Sequence, residues 1–380
     1  MRRLITLTAL FGALLFLQAP AGAIDSHLPQ ASASFNATVY KVAYDGDTVY
    51  SGGEFTRAKN TDGTFARRNY LAAVNSATGA LLPFAPSLDG PVYEVKTGGG
   101  HLYIAGKFTQ VDGVARPRVA RFDLGTGELD TTWKPRPSAT VYTVEPVGST
   151  VYLGGTFVTV GDFAQPSLAA VNATDGAPIT TFTPRVQEGA VRDLESGHGR
   201  LYVAGAFSRV EDDKKYGKLA AVNPTSGAVD TSFAAKVYVL TREIAVAGDR
   251  VFAALDGRGG EIRAFDRGGE ALWYQAVDGG MQTVEVWGDT VIGGGHFDRA
   301  CVTNHAGPHG ECLDGVRAER GKLLAVDMNG RLLDWDPNAN GVVGAWDAEV
   351  HPSGSNLTVG GAFTTFGGGL QEQKRLAVFA

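Results

Sequence analysis

The sequence predicts an all-β protein built from tandem four-stranded units, a β-propeller. Three observations carry the prediction: one aromatic position recurs along the chain, apolar runs of strand length alternate with Gly-rich turns, and helical periodicity is absent. Phe35, Phe84, Trp133 and Phe182 are each separated by 49 residues, and the series continues at Phe233, Trp273 and Trp335 with spacings of 51, 40 and 62. A pair of β-sandwiches would not repeat one aromatic at a constant spacing, whereas a four-stranded unit of about 40–60 residues in tandem is a propeller blade.

Each unit reads in the same order. Strand A is a run such as "VYKVAY" or "VYTVEP", and a Gly-centred hairpin, as in "YDGDTVY" and "GHGRLY", leads to strand B. Strand B carries a double small residue and a Phe, as in "VYSGGEF", "VYLGGTF" and "LTVGGAF". A loop of variable length follows, then strand C, "YLAAVN", "SLAAVN" or "KLLAVD". An Asn/Asp-x-x-Thr-Gly turn leads to strand D, which holds the aromatic. Gly suits that turn because its positive φ costs Gly nothing, and Asn or Asp can bond the turn backbone two residues on. The recurring aromatics Phe35, Phe84, Trp133, Phe182, Phe233, Trp273 and Trp335 are expected as core between neighbouring blades.

Counting aromatics gives seven blades. The fifth departs from the pattern, with "VFAALDGRGG" in place of the double-Gly strand and a shortened hairpin in "EIRAFDRGGEALW". The seventh ends at strand C, "RLAVFA", and an unpartnered strand D, "ASASFNA", stands near the other end of the chain. Residues 31–38 are therefore expected to pair beside "RLAVFA" and close the ring, removing exposed sheet edges. The expected organisation is a signal peptide over residues 1–23, a short linker over 24–30 and a seven-bladed propeller over 31–380.

The signal assignment rests on Arg2 and Arg3 ahead of the apolar run Leu4 to Leu17 and the small-x-small site Ala21-Gly22-Ala23. Losing those two arginines moves the formal charge from −6 to −8. The expectation is a secreted protein with no membrane span after cleavage. No strongly basic stripe stands out, which argues against a nucleic-acid partner.

The combination "VYxGGxF…LAAVNxxTGxxxxxF" resembles the delta-sixty β-propeller repeats of secreted bacterial proteins, and five or six units carry it. The hairpin "ARFDLGTGELDTTW" is also similar to a quinoprotein repeat, in which such a segment docks neighbouring blades. The resemblance stops there, because quinoprotein dehydrogenases carry a vicinal Cys pair and eight blades. No cofactor is expected.

Chemistry is expected on the face bearing the B–C loops, since binding residues tend to sit on loops held by a rigid scaffold. Basic residues gather in them: Arg57, Arg67, Arg68, Arg116, Arg118, Lys214, Lys215, Arg317 and Arg320. They read either as a positive rim for an anionic partner, such as a cell-envelope glycan or a protein, or as solubilising loop charge. The longest loop holds the only cysteines, Cys301 and Cys312, with His296, His305 and His309 beside them. A close pair in an exported protein reads as a disulfide rather than a zinc site, whose spacing the segment does not match. The third residue of the GGxF motif varies from unit to unit, which argues against a repeated catalytic or symmetric metal site. The functional expectation is a monomeric binding or protein-interaction module. A glycan-directed hydrolase or lyase and a structural envelope protein stand as alternatives.

Overall fold

The computed structural model describes residues 26–257, 259–303 and 312–380. The signal segment and His305 and His309 lie outside the described residues. Seven antiparallel sheets dominate the structure, and strands account for almost all of its regular structure. Their first strands are Val39–Asp45, Val92–Gly98, Val141–Val147, Val191–Gly197, Leu240–Ala247, Met281–Trp287 and Ala345–Val350. Each pairs with a second strand across a tight hairpin, and the second pairs with a third. The first strand of each sheet lies against the first strand of the next, and Ala345–Val350 lies against Val39–Asp45.

The apolar core is divided accordingly. Seven buried clusters each draw side chains from two consecutive sheets, as where Ala43 and Leu71 meet Val92 and Leu102. The last cluster joins Leu376, from the final strand, to Val39, Val42 and Val49 of the first sheet. Trp133, Phe182 and Phe233 are fully buried in such layers, while Phe84 is half-buried, its ring edge-on to Tyr50 and Phe122. The indole N–H groups tie sheets together: Trp133 Nε1 donates to Asn172 O at 3.1 Å and Trp273 Nε1 to Met328 O at 2.8 Å.

The double glycine of the second strand has a steric cause. A Cβ on Gly52 would stand 2.6 Å from Val92 Cγ1 of the next sheet, and one on Gly53 would overlap the carbonyl oxygen of Thr38. Any larger residue would push the next sheet or the preceding segment away.

The fourth strand is mostly reduced to one bridge. Val74–Leu81, Phe122–Leu129, Val171–Pro178, Val222–Val229 and Val326–Leu332 are single antiparallel bridges after the Asn/Asp turn. The fifth sheet is the exception, with four full strands ending in Ala271–Ala276. Its short Asp266–Glu270 turn aligns the two outer strands directly, so the unit that departs most in sequence forms the most complete sheet.

Beside the final strand Leu376–Phe379, the outer position is held by the N-terminal segment. Gln30 bridges Val378, its N–H donating to Val378 O at 2.7 Å, and Phe35 N donates to Lys374 O at 3.3 Å. Gln373 Nε2 reaches Ser32 Oγ at 2.9 Å and Leu376 O at 2.7 Å. Ser34–Phe35 then pairs with Arg57–Lys59, in a small separate sheet completed by Phe65–Arg67. Pairing to the final strand thus centres on Gln30, just ahead of the 31–38 span expected from sequence.

Candidate functional site

Every first strand opens on a β-bulge. The register shifts between Val39 and Lys41 and at the same point of the other six, down to Ala345 and Asp347. A bulge adds an unpaired residue and re-aims the side chains around it. The bulged residues are Tyr40, Tyr93, Tyr142, Arg192, Arg242, Gln282 and Trp346, and with Lys41 they line one cavity of about 250 Å³.

The cavity wall has two halves. Trp346, Tyr40, Tyr93 and Tyr142 form an unbroken aromatic arc, with successive ring centroids 5.2, 5.5 and 5.6 Å apart. Arg192, Arg242 and Gln282 complete the circle. The Arg192 guanidinium lies 3.9 Å over the Tyr142 ring and pairs with no carboxylate among the described residues. Arg242 is neutralised by Asp256, to which its Nη2 and Nε donate at 2.6 and 2.8 Å. Gln282 turns its Nε2 toward Asp256 Oδ2 and His296 Nδ1, both at 3.5 Å. Its Oε1 is buried with no hydrogen-bond partner among the described residues. Burial, then a hydrogen bond with Glu54, holds the Tyr40 phenol well above the usual range.

Two tiers of ionisable side chains lie deeper. The upper holds Lys41, Glu94, Asp193, Glu243 and Asp347, and the lower holds Lys96, Glu145, Glu195, Glu285 and Glu349. Eight carboxylates thus face two ammonium groups. Several of them also answer a backbone need. The first strand is the inner edge of its sheet, so its outward N–H groups lack a strand partner. Asp193 accepts from Ile244 N at 2.7 Å, Glu243 from Val284 N at 3.1 Å, Asp347 from Val42 N at 2.7 Å and Glu145 from Ser196 N at 3.2 Å. In each case a carboxylate of one sheet caps the edge of the next.

Burial pushes Asp193, Glu195, Glu243 and Glu349 up. Asp193 rises to about 6, and Glu195, Glu243 and Glu349 to about 7, against the opposing pull of Lys41 or Lys96. Burial also raises Glu94 and Glu285 well above the ordinary range. Lys41 donates to Asp347 Oδ1 at 2.8 Å and to Glu243. Burial favours its neutral form, but Asp347 and Glu243 outweigh that and hold it firmly protonated.

The basic loop residues singled out in the sequence are not gathered here. Arg68, Arg116 and Arg320 turn back on the fold, donating to Leu82 O at 2.8 Å, Asp130 O at 3.2 Å and Leu333 O at 2.7 Å. Arg118, at φ +71°, donates to Lys107 O. Arg57 and Arg67 flank an outer hairpin, where Arg57 lies 4.9 Å over Phe65. Lys214 and Lys215 sit on a single 3-10 turn, with Lys215 paired to Asp213 at 3.0 Å. Arg317 is exposed, in register with Cys301 on the sixth hairpin. Cys301 and Cys312 form a disulfide with Cα atoms 5.5 Å apart. Of the three histidines, His296 lies behind the lining residue Gln282, its Nε2 accepting from Gly280 N at 2.9 Å. Among the described residues no group of three or more His, Cys, Asp or Glu is placed to hold a metal ion, and no helix is long and apolar enough to cross a membrane.

The cavity residues were missed from sequence, yet a signal existed. Stacked in register, "YKVAY", "YEVKT", "YTVEP", "RDLES", "REIAV", "QTVEV" and "WDAEV" show a column of aromatic, cationic or amide residues, then two mostly charged columns on either side of an apolar one.

A family model described as "Domain of unknown function (DUF5122) beta-propeller" matches residues 100–132, the second and third strands of the second sheet with their turn. No curated protein matches the chain. Among solved structures, the WD40 beta propeller domain of Doa1 is similar at a TM-score of 0.57 and 12% identity, over 93% of this chain and 96% of that one. The computationally designed Ika8 protein is similar at a TM-score of 0.54 and 10% identity, over 91% of this chain and 97% of that one. With the seven sheets and their layered core, these likenesses identify the fold of the chain as a β-propeller.

Proposed function

We propose that the chain is an exported seven-bladed propeller acting as a binding module, with the cavity at the convergence of the first strands as its binding point. One observation carries the reading: all seven first strands contribute a bulged side chain to one cavity, and these side chains are aromatic, cationic or amide rather than the apolar filler of a closed core. Mostly apolar walls with a few placed polar groups are what ligand sites present. At about 250 Å³ the cavity is smaller than the ~300–1,000 Å³ of drug-sized sites, which suits one ring or one terminal group of a larger partner. Contact between the last and first inner strands, with the Gln30–Val378 bridge beside them, supports a ring closed by the N-terminal segment. The partner is a cell-envelope glycan or a protein.

The test is a binding panel of envelope glycans and peptides against the native protein and a Tyr93→Ala/Trp346→Ala double variant. A ligand retained unchanged by the native protein and lost by a folded variant is the expected result. Retention of every ligand by the variant would remove the cavity from the function.

A further inference from the structure

Resting on that reading, we propose that the cavity recognises a carboxylate-bearing pyranose, a hexuronate-type sugar acid within or at the end of an acidic glycan. Three requirements converge on it. The arc of Trp346, Tyr40, Tyr93 and Tyr142 offers flat apolar ring faces, complementary to the C–H face of a sugar ring. Arg192 offers a guanidinium held by its stack on Tyr142 and not neutralised by any described carboxylate. A planar fork so placed matches a carboxylate, and being held already it loses little freedom on binding. Gln282 is only 5% exposed, yet its Oε1 lacks a partner. Asp256, which can only accept, lies on the Nε2 side at 3.5 Å, as does His296 Nδ1, which carries the ring proton because Nε2 accepts from Gly280 N. The unsatisfied oxygen requires a donor, which a ring hydroxyl supplies.

The charge of the wall agrees. Of the three cations that line the cavity, Lys41 and Arg242 are already paired, with Asp347 and Glu243 and with Asp256, which leaves Arg192 as the open charge, and no carboxylate is among the lining residues. In the tier below, Asp347 and Asp193 are turned toward the backbone of Val42 and Ile244. A peptide C-terminus could meet the guanidinium, but it must freeze several torsions to offer an apolar face and a donor together. A pyranose acid carries all three groups on one rigid ring.

The experiment is calorimetric titration of the full-length protein with methyl glucuronide, methyl glucoside and an N-acetylated dipeptide with a free carboxylate. The glucuronide should bind at least about tenfold more tightly than the glucoside, the range of a charge-assisted hydrogen bond. Arg192→Gln should remove that preference while leaving the melting temperature in place. Trp346→Ala should weaken both sugars alike, and Gln282→Leu should weaken both while keeping the preference. Equal binding of the two glycosides, or a preference that survives Arg192→Gln, overturns the sugar-acid assignment. Dipeptide binding sensitive to Trp346→Ala with neither sugar bound also overturns it, and leaves the binding-module reading standing. Ligands found by the broader panel but indifferent to Trp346→Ala would sink both.

Discussion

Replacing Lys41 with methionine keeps the length of the stem and removes the ammonium that serves Glu243 and Asp347. The side chain is 19% exposed, and the two carboxylates are 10% and 3% exposed, so solvent does little to relieve the loss. Breaking a buried pair from one side costs about 3–5 kcal/mol, mostly from the charge left behind. That charge depends on pH, which makes the cost diagnostic. Glu243 already titrates near about 7 and Asp193 near about 6 in the folded protein, because burial outweighs Lys41. A group whose folded pKa is raised contributes stability that is complete below its unfolded pKa and lost as pH rises through the folded value. Without Lys41 both acids move further up, so the difference between variant and native protein widens between about pH 5 and pH 8. At pH 8 the loss should be about 3–5 kcal/mol, and at pH 5, with Glu243 and Asp193 protonated, about 1–2 kcal/mol. Urea denaturation followed by tryptophan fluorescence at the two pH values measures both. Equal losses at pH 5 and pH 8, or none at pH 8, would refute the placement of Lys41 as counter-charge to this tier.

Four further outcomes are expected. In the native protein, folding takes up protons onto Glu195, Glu243, Glu349 and Asp193, whose pKa values stand at about 7, 7, 7 and 6. The melting temperature should therefore fall as pH rises from about 4.5 to about 8, and a flat or rising profile would contradict the burial of these acids. Gly53→Ala should cost about 1–3 kcal/mol or more through overlap with Thr38 O. Gly99→Ala, in open space at φ +57°, should cost only the strain of about 1–2 kcal/mol, so the order of their denaturation midpoints checks the steric account. Trp133→Ala should cost about 3–5 kcal/mol; Trp133→Phe keeps a six-membered ring but loses the pyrrole half of the indole and the bond to Asn172 O, at about 1–3 kcal/mol. Deleting residues 24–38 should lower the melting temperature sharply by stripping Gln30 from Val378 of the final strand and Phe35 from Lys374 just ahead of it, and unchanged cooperative melting would refute closure by this segment.

The repeating aromatics and the GGxF strands were legible because each reports a local requirement: a ring to fill the layer, and an absent Cβ where backbone passes close. The cavity was not. Tyr40 and Trp346 lie at opposite ends of the chain, and only the circular neighbourhood of the sheets sets their rings 5.2 Å apart. The bulge that exposes them leaves no mark in "VYKVAY", which reads as an ordinary alternating strand. Arg116 misled for the opposite reason. Beside Arg118 it reads as loop charge, whereas its side chain is almost wholly buried and returns to the carbonyls of Ala115 and Asp130. The fifth unit lost its motif residues yet kept its sheet, because backbone pairing tolerates substitutions that a motif does not.

The bulge at the head of each first strand separates two tasks that usually compete for the same residue. Tyr40 faces the cavity, while Lys41, its neighbour in the chain, joins the tier that holds adjacent sheets together; Arg192 and Asp193, or Trp346 and Asp347, divide the labour in the same way. The cavity lining and the charge pairing beneath it are thus carried largely by adjacent residues, with Lys41 contributing to both. On the proposed reading, the seven bulged positions can be changed one sheet at a time while the scaffold beneath keeps its charge pairing and its backbone caps.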